Sequence, residues 1–213
     1  VYQDSLFKVA NTTKIFDSFY LHYGKVIKGS LKVNDEVLST IDIKKRNLIK
    51  NNHSSTHLLH ASLRKVLGNH VTQKGSLVND EKLRFDFNHN ETINSKYLEK
   101  IENLVQSIIN KHSTIKIEIL DHKTAIDQGA IALFGEKYSD EVRVVTINID
   151  DNTYFSKELC GGTHVTNTSE IKKFKIINQS SVSSGIRRIE AVTNYRVDEF
   201  NTNLLIKNKK NIE

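Results

Sequence analysis

Proline and methionine are both absent from the 213 residues, and cysteine occurs once. An average usage of about 5% predicts roughly ten prolines. Their absence excludes proline-rich linkers and PxxP segments. A chain without methionine, even at its first position, reads as a piece of a longer or processed protein. One cysteine cannot close an internal disulfide, so a reducing compartment is the default. Cys160 is then inert, catalytic or a metal ligand. No stretch approaches the ~20 apolar residues of a membrane span. The first residues (Val1, Tyr2, Gln3, Asp4) lack the basic-then-apolar run of a signal peptide. A cytoplasmic chain with no membrane partner is the expectation.

What is present suffices for one good core or two small ones, with 38% hydrophobic and 26% charged residues. Lys plus Arg, at 31, exceeds Asp plus Glu, at 25. The net +6 permits a nucleic-acid partner without demanding one, since lysines scattered for solubility leave the same excess.

The first 45 or so residues read as short strands between turns: Phe19 to Tyr23 up to Gly24, Lys25 to Lys28 up to Gly29, Ser30 to Val33 up to Asn34–Asp35, then Glu36 to Ile41. That rhythm predicts a small antiparallel β-barrel over residues 1–46. The period then becomes helical over 49–67, where Leu58, Leu59, Leu63, Val66 and Leu67 recur at three and four. Asn51 or Asn52 is the expected cap of that helix and Gly68 its terminator. Strands are expected over 83–87, 115–120, 142–149, 171–177 and 188–193, and helices over 95–112, 125–133 and 195–207. Strands and helices mix without a regular βαβ rhythm, so the fold class is α+β. The organisation is a barrel (1–46), a core (47–194) and a helix leading out (195–213).

His53 and His57 lie four apart on the predicted helix, which puts two imidazoles on one face. Alone, such a pair is more often surface or satisfied core polar residues. His60 continues the ladder, so the register is not settled by these residues. Cys160 and His164 repeat the spacing across Cys-Gly-Gly-Thr-His, where two glycines argue for a tight loop. A thiol–imidazole catalytic pair or a buried small residue would use the same letters. Together the two pairs supply three imidazoles and a thiolate, a set suited to Zn²⁺. A zinc protease is excluded, because Ser54, Ser55 and Thr56 stand where H-E-x-x-H needs its glutamate.

The segment His53–Ser54–Ser55–Thr56–His57–Leu58–Leu59–His60 resembles the editing domain of alanyl-tRNA synthetases. So do Thr72 to Val78, Arg84–Phe85–Asp86–Phe87, Ala132–Leu133–Phe134–Gly135–Glu136–Lys137–Tyr138, Cys160 to Val165 and Ser184 to Val192, in that order. The stretch from Gly24 to Val37 is similar to the small barrel preceding that domain. The resemblance runs over about residues 19 to 193, and the ligand quartet matches throughout. It implies an α/β editing core after a β-barrel, and hydrolysis of Ser-tRNA(Ala) and Gly-tRNA(Ala). The implied partners are the tRNA(Ala) acceptor end and the rest of the synthetase chain. A free-standing trans-editing deacylase shares these motifs. Nothing of an aminoacylation domain is visible, so this chain is not expected to charge tRNA.

The implied site has zinc on His53, His57, Cys160 and His164. Zinc can activate water and polarise the ester carbonyl, yet four protein ligands usually close a structural site. Thr56, between the histidines, should face the pocket, although a helix-surface hydroxyl is the plainer reading. Gln73, with Lys74 in the block that lines the family's site, is a candidate reader of substrate or a turn-stabilising amide. Arg187 and Arg188 are candidates for tRNA phosphate, one pointing to the pocket by strand alternation; an internal salt bridge to Glu190 or Asp86 is as good a reading. Lys172, Lys173 and Lys175 form a tRNA-facing stripe or a solvated strand face. Asp86 could orient a ligating histidine. Two other classes stay open: a zinc-stabilised tRNA-binding module, and a thiol enzyme using Cys160.

Overall fold

The computed structural model describes residues 5–15, 19–132 and 138–210. The chain divides into two compact units, Val1–Asp42 and Ile43–Glu213.

In the first unit, β1 (Leu6–Ile15) and β2 (Phe19–Lys28) form an antiparallel hairpin, with Ile15 opposite Phe19 and Leu6 opposite Lys28. Gly24 is not a turn. It lies inside β2, opposite Val9 at a register shift, where a Cβ would strike the Lys8 carbonyl. A glycine inside a strand often marks such an approach. The turn at Asn34–Asp35 exists: Asp35 N–H donates to Lys32 O at 3.2 Å, its carboxylate accepts from Lys32 N–H at 2.7 Å, and Asn34 has φ 70°. It joins no strands, because residues 29–42 are irregular. Among the described residues there is a two-stranded sheet and no closed barrel. Alternation marks which residues could share a face but carries no information about closure, which needs paired strands all round.

In the second unit, a four-stranded antiparallel sheet has the order β3–β4–β9–β8, and a three-stranded one β5–β6–β7. The strands are β3 (Gln73–Val78), β4 (Leu83–Asn88), β5 (Ile115–Asp121), β6 (Glu141–Asn148), β7 (Tyr154–Leu159), β8 (Phe174–Ser183) and β9 (Ile186–Thr193). With helices α1 (Ile43–Leu67), α2 (Ser95–Asn110), α3 (His122–Asp127) and α4 (Tyr195–Lys210), this is the α+β class expected. A 3₁₀ turn over Thr168–Ile171 is closed by a capping box between Asn167 and Glu170.

α1 begins earlier than its apolar period suggested, and Asn51 and Asn52 are buried mid-helix rather than caps. Asn52 instead ties elements together, donating to Asn79 O at 2.8 Å and accepting from the Thr193 hydroxyl at 2.7 Å. The helix does end at Gly68, which takes φ 120°. From Asn51 to Leu63 every residue of α1 except His53 is buried. A helix covered on all sides runs through a core rather than over it. Leu58, Leu59 and Leu63 join Phe85 and Phe87 of β4, Ile101 and Val105 of α2, and Ile189 of β9 in the main hydrophobic cluster. α3 ends at Asp127, short of the predicted limit; residues 133–137, with most of the Ala132–Tyr138 block, lie outside the described residues.

Candidate metal centre

The buried middle of α1 presents His53 and His57 on one face, one turn apart. Facing them is the loop that follows β7. Backbone bonds between Ile131 and β7, Ile131 N–H to Lys157 O and Leu159 N–H to Ile131 O, both 2.9 Å, hold the end of that strand. Cys160 comes next, its N–H donating to Arg143 O of β6 at 2.9 Å. The Arg143 guanidinium donates to Cys160 O at 2.7 Å and to Gly162 O at 2.6 Å, clamping the turn. At Gly162 a Cβ would fall on the His53 ring, so only glycine lets the loop come this close.

The result brings together His53, His57, Cys160 and His164, with one donor atom of each within 4.8 Å of all the others. Cys160 Sγ is 3.4 Å from His53 Nε2 and 3.3 Å from His164 Nε2. A tetrahedral zinc with nitrogen at ~2.0–2.1 Å and sulfur at ~2.3 Å has edges of about 3.3–3.6 Å. The donor chemistry and the two sulfur–nitrogen distances fit that ion.

Each inner imidazole is held from behind. His57 Nδ1 lies 2.9 Å from Glu158 Oε2, and His164 Nδ1 lies 3.2 Å from Ser54 Oγ. The first contact is an ion pair and the second a hydrogen bond, and such contacts fix ring orientation. Without an ion, burial works against a charged His57, but the Glu158 carboxylate and the Cys160 sulfur outweigh it and raise its pKa. Burial works against a charged Glu158 too, yet His57 and His60 hold it ionised, well below the carboxylate range. Burial would raise the Cys160 thiol; bonds to His164 and His53 instead bring it down to about 3. Burial lowers His164 to about 4 despite its bond to Cys160. The cluster thus already holds a thiolate and one neutral imidazole.

Beside the donors the pocket is lined by Thr56, Gln73, Ser76 and Phe85. Thr56 is buried rather than a surface hydroxyl, and its Oγ1 donates to Asn52 O at 2.9 Å, so its lone pairs remain to accept. Other expected residues go elsewhere. Asp86 does not reach a histidine: Arg188 takes it with two bonds of 2.7 Å each, and the carboxylate behind the imidazole is Glu158. The reason is register, since β4 places Asp86 opposite Arg188. Neither arginine lines the pocket, contrary to the alternation argument. Arg187 donates to Asn90 O at 3.3 Å and to Thr92 Oγ1 at 3.0 Å. Lys74 is exposed and outside the lining. Lys173 and Lys175 pair with Asp198 and Glu102, which removes them from an open basic stripe. Sequence reasoning missed Glu158, Ser54 and Arg143. The one signal for Glu158 was an acid two residues before Cys160 in a strand otherwise fit for burial.

Residues 142–190 match the family described as "Threonyl and Alanyl tRNA synthetase second additional domain". That span runs from β6 to β9 and contains Cys160 and His164. Over 186 residues the chain is 53% identical to an alanine–tRNA ligase of Bdellovibrio bacteriovorus, covering 87% of this chain and 20% of the relative. It is 50% identical over 198 residues to that of Ruthia magnifica subsp. Calyptogena magnifica, covering 93% and 22%. With the Parvibaculum lavamentivorans ligase the figures are 46% over 190 residues, 88% and 21%. The chain spans about a fifth of the length of the curated relatives it matches.

Proposed function

Because the chain belongs to the second-additional-domain family of alanyl-tRNA synthetases, we propose that it is an editing deacylase, hydrolysing the ester that links serine or glycine to tRNA(Ala). The observation that carries this reading is the convergence of His53, His57, Cys160 and His164 on a pocket that also exposes Thr56 and Gln73. His53, His57, Cys160 and His164 would hold zinc. When bound there, it supplies Lewis acidity toward the ester carbonyl.

The chain's own residues orient and select. Thr56 and Gln73 face the space beside the donors, where the aminoacyl side chain would sit. A site that hydrogen-bonds a substrate hydroxyl rejects an analogue lacking it by ~10⁴–10⁵. Serine has that hydroxyl and alanine lacks it, so these two side chains spare correctly charged tRNA. Glycine carries none, so this contact accounts for serine alone. Glu158 lines the pocket but is not a free base: Oε2 faces His57, while Oε1 faces His60 and accepts from the Ser156 hydroxyl at 2.9 Å. Gln73, Phe87 and Arg187 lie in one row across β3, β4 and β9. Lys74 and Arg187, at that end of the sheet, are the cations offered to acceptor-end phosphates. Arg188 is engaged by Asp86.

The test measures metal content and Ser-tRNA(Ala) hydrolysis on the same 213-residue chain. Activity that tracks zinc supports the reading; full activity in zinc-free protein removes the metal's role. Thr56→Val should raise hydrolysis of Ala-tRNA(Ala) relative to Ser-tRNA(Ala) by at least tenfold, and unchanged discrimination counts against Thr56 as the reader. One observation favours a second reading. Four protein donors close a tetrahedron, as in a zinc-stabilised module that only holds the acceptor stem. Such a module would bind tRNA and zinc but leave Ser-tRNA(Ala) intact.

A further inference from the structure

His60 is a third imidazole on the face of α1 that carries His57, one turn further along. It is about 1% exposed, and its ring packs on Phe85 with centroids 5.2 Å apart. It does not belong to the donor cluster. Its Nδ1 lies 3.1 Å from Glu158 Oε1, and its Nε2 has no hydrogen-bond partner among the described residues. One polar atom of the ring is therefore spent on Glu158 and the other is left bare in the interior. A buried imidazole kept at that cost does more than fill space.

Glu158 makes the connection. A carboxylate turns freely about its last torsion, and a Glu158 held at one oxygen only could present either oxygen, or neither, to His57. Here Oε1 is fixed by His60 Nδ1 and by the Ser156 hydroxyl at 2.9 Å, so Oε2 is left 2.9 Å from His57 Nδ1, an ion-pair contact without hydrogen-bond alignment. With Glu158 held in that place, the far side of the His57 ring is kept toward Cys160 and the other donors.

We propose that His60 is a positioning residue of the metal centre, acting through Glu158 to fix the aim of the His57 ring. The proposal rests on the metal-site reading above. It makes α1 contribute three histidines with two different tasks: His53 and His57 toward the ion, and His60 toward the carboxylate that steers one of them.

The test uses the 213-residue chain with His60→Leu, which keeps apolar bulk but has no donor, and His60→Asn, whose side-chain amide can stand near the place of Nδ1–H. Zn²⁺ affinity is read by competition with a chelator, and the Co²⁺ spectrum reports ligand geometry. Partners behind a metal ligand are typically worth about 10–100-fold in affinity. His60→Leu should lose about tenfold and alter the Co²⁺ bands. His60→Asn should return to within about threefold of the unaltered chain. Equal losses in the two variants, or a His60→Leu protein that binds Zn²⁺ normally, would overturn the proposal. If the unaltered chain takes up no Zn²⁺, the metal reading falls and takes this inference with it. Normal uptake by both the unaltered chain and His60→Leu sinks this inference alone.

Discussion

Gly162 shows how much one hydrogen atom in place of a methyl group decides. Its Cα faces the His53 ring so closely that a side chain of any size must displace the imidazole or open the Cys160 turn. Gly161, one residue earlier, has open space at the corresponding position. The two glycines of Cys-Gly-Gly-Thr-His are therefore not equivalent. Gly162→Ala should weaken Zn²⁺ binding by more than tenfold, whereas Gly161→Ala should change it by less than about threefold, both read by chelator competition. A Gly162→Ala chain with normal affinity would show that the loop adjusts without loss. Glu158 belongs to the same scale. It sits between two histidines of α1, and its charge is what makes the first of them basic.

At the scale of elements, α1 is the piece against which the second unit is assembled. Its polar residues work as connectors: Ser54 touches His164 and accepts from Val165 N–H at 3.2 Å, while Asn52 joins Asn79 and β9. Asn52→Ala would strand the Thr193 hydroxyl and the Asn79 carbonyl together. Leaving buried polar groups unpaired costs about 1–3 kcal/mol, so the urea midpoint should fall by the equivalent of that amount with an unchanged slope. A midpoint equal to that of the unaltered chain would mean that Asn52 is dispensable as a connector. α2 is tied to β8 in a similar way, with Glu102 accepting from Ile176 N–H at 2.8 Å and from Lys175 Nζ at 2.7 Å.

For the molecule as a whole, the metal-free cluster links stability to pH. His164, at about 4, binds fewer protons folded than unfolded between there and 6.5, so its contribution is lost as pH falls through that window. Cys160, held at about 3, acts in the same direction from the ordinary thiol range downward. His57 acts oppositely: its raised pKa stabilises below 6.5 and the effect is lost as pH rises above it. Above 6.5 the two signs oppose each other; below it only the losses remain. With a chelator present, the urea midpoint should drop steadily from about pH 6.5 to pH 4. A midpoint that holds or rises on acidification would contradict the assigned shifts. Every donor of the cluster, with Glu158, Ser54 and Arg143, lies in the unit Ile43–Glu213. A chain starting at Ile43 should therefore bind Zn²⁺ within about threefold of the full chain, and loss of binding would show that residues 1–42 are needed to build the centre. No helix among the described residues is long and apolar enough to cross a membrane.

Sequence alone determined what is local along the chain. The i, i+4 histidines share a face because of helical pitch, Gly68 ends the helix because it takes positive φ, and the alternation of β4 states which residues share a face. It also marked His53, His57, Cys160 and His164, since each pair is short enough to be read as a spacing. Partner choice across distance was decided by tertiary structure. The first unit could show strand-like alternation and still form a hairpin, because pairing depends on what stands beside a strand. Asp86 and Glu158 were both acids near a candidate site, and only the register of β4 against β9, and the packing of β7 against α1, gave one to an arginine and the other to two histidines. Periodicity specifies a direction for a side chain; the neighbour it meets there is set by elements a hundred or more residues away.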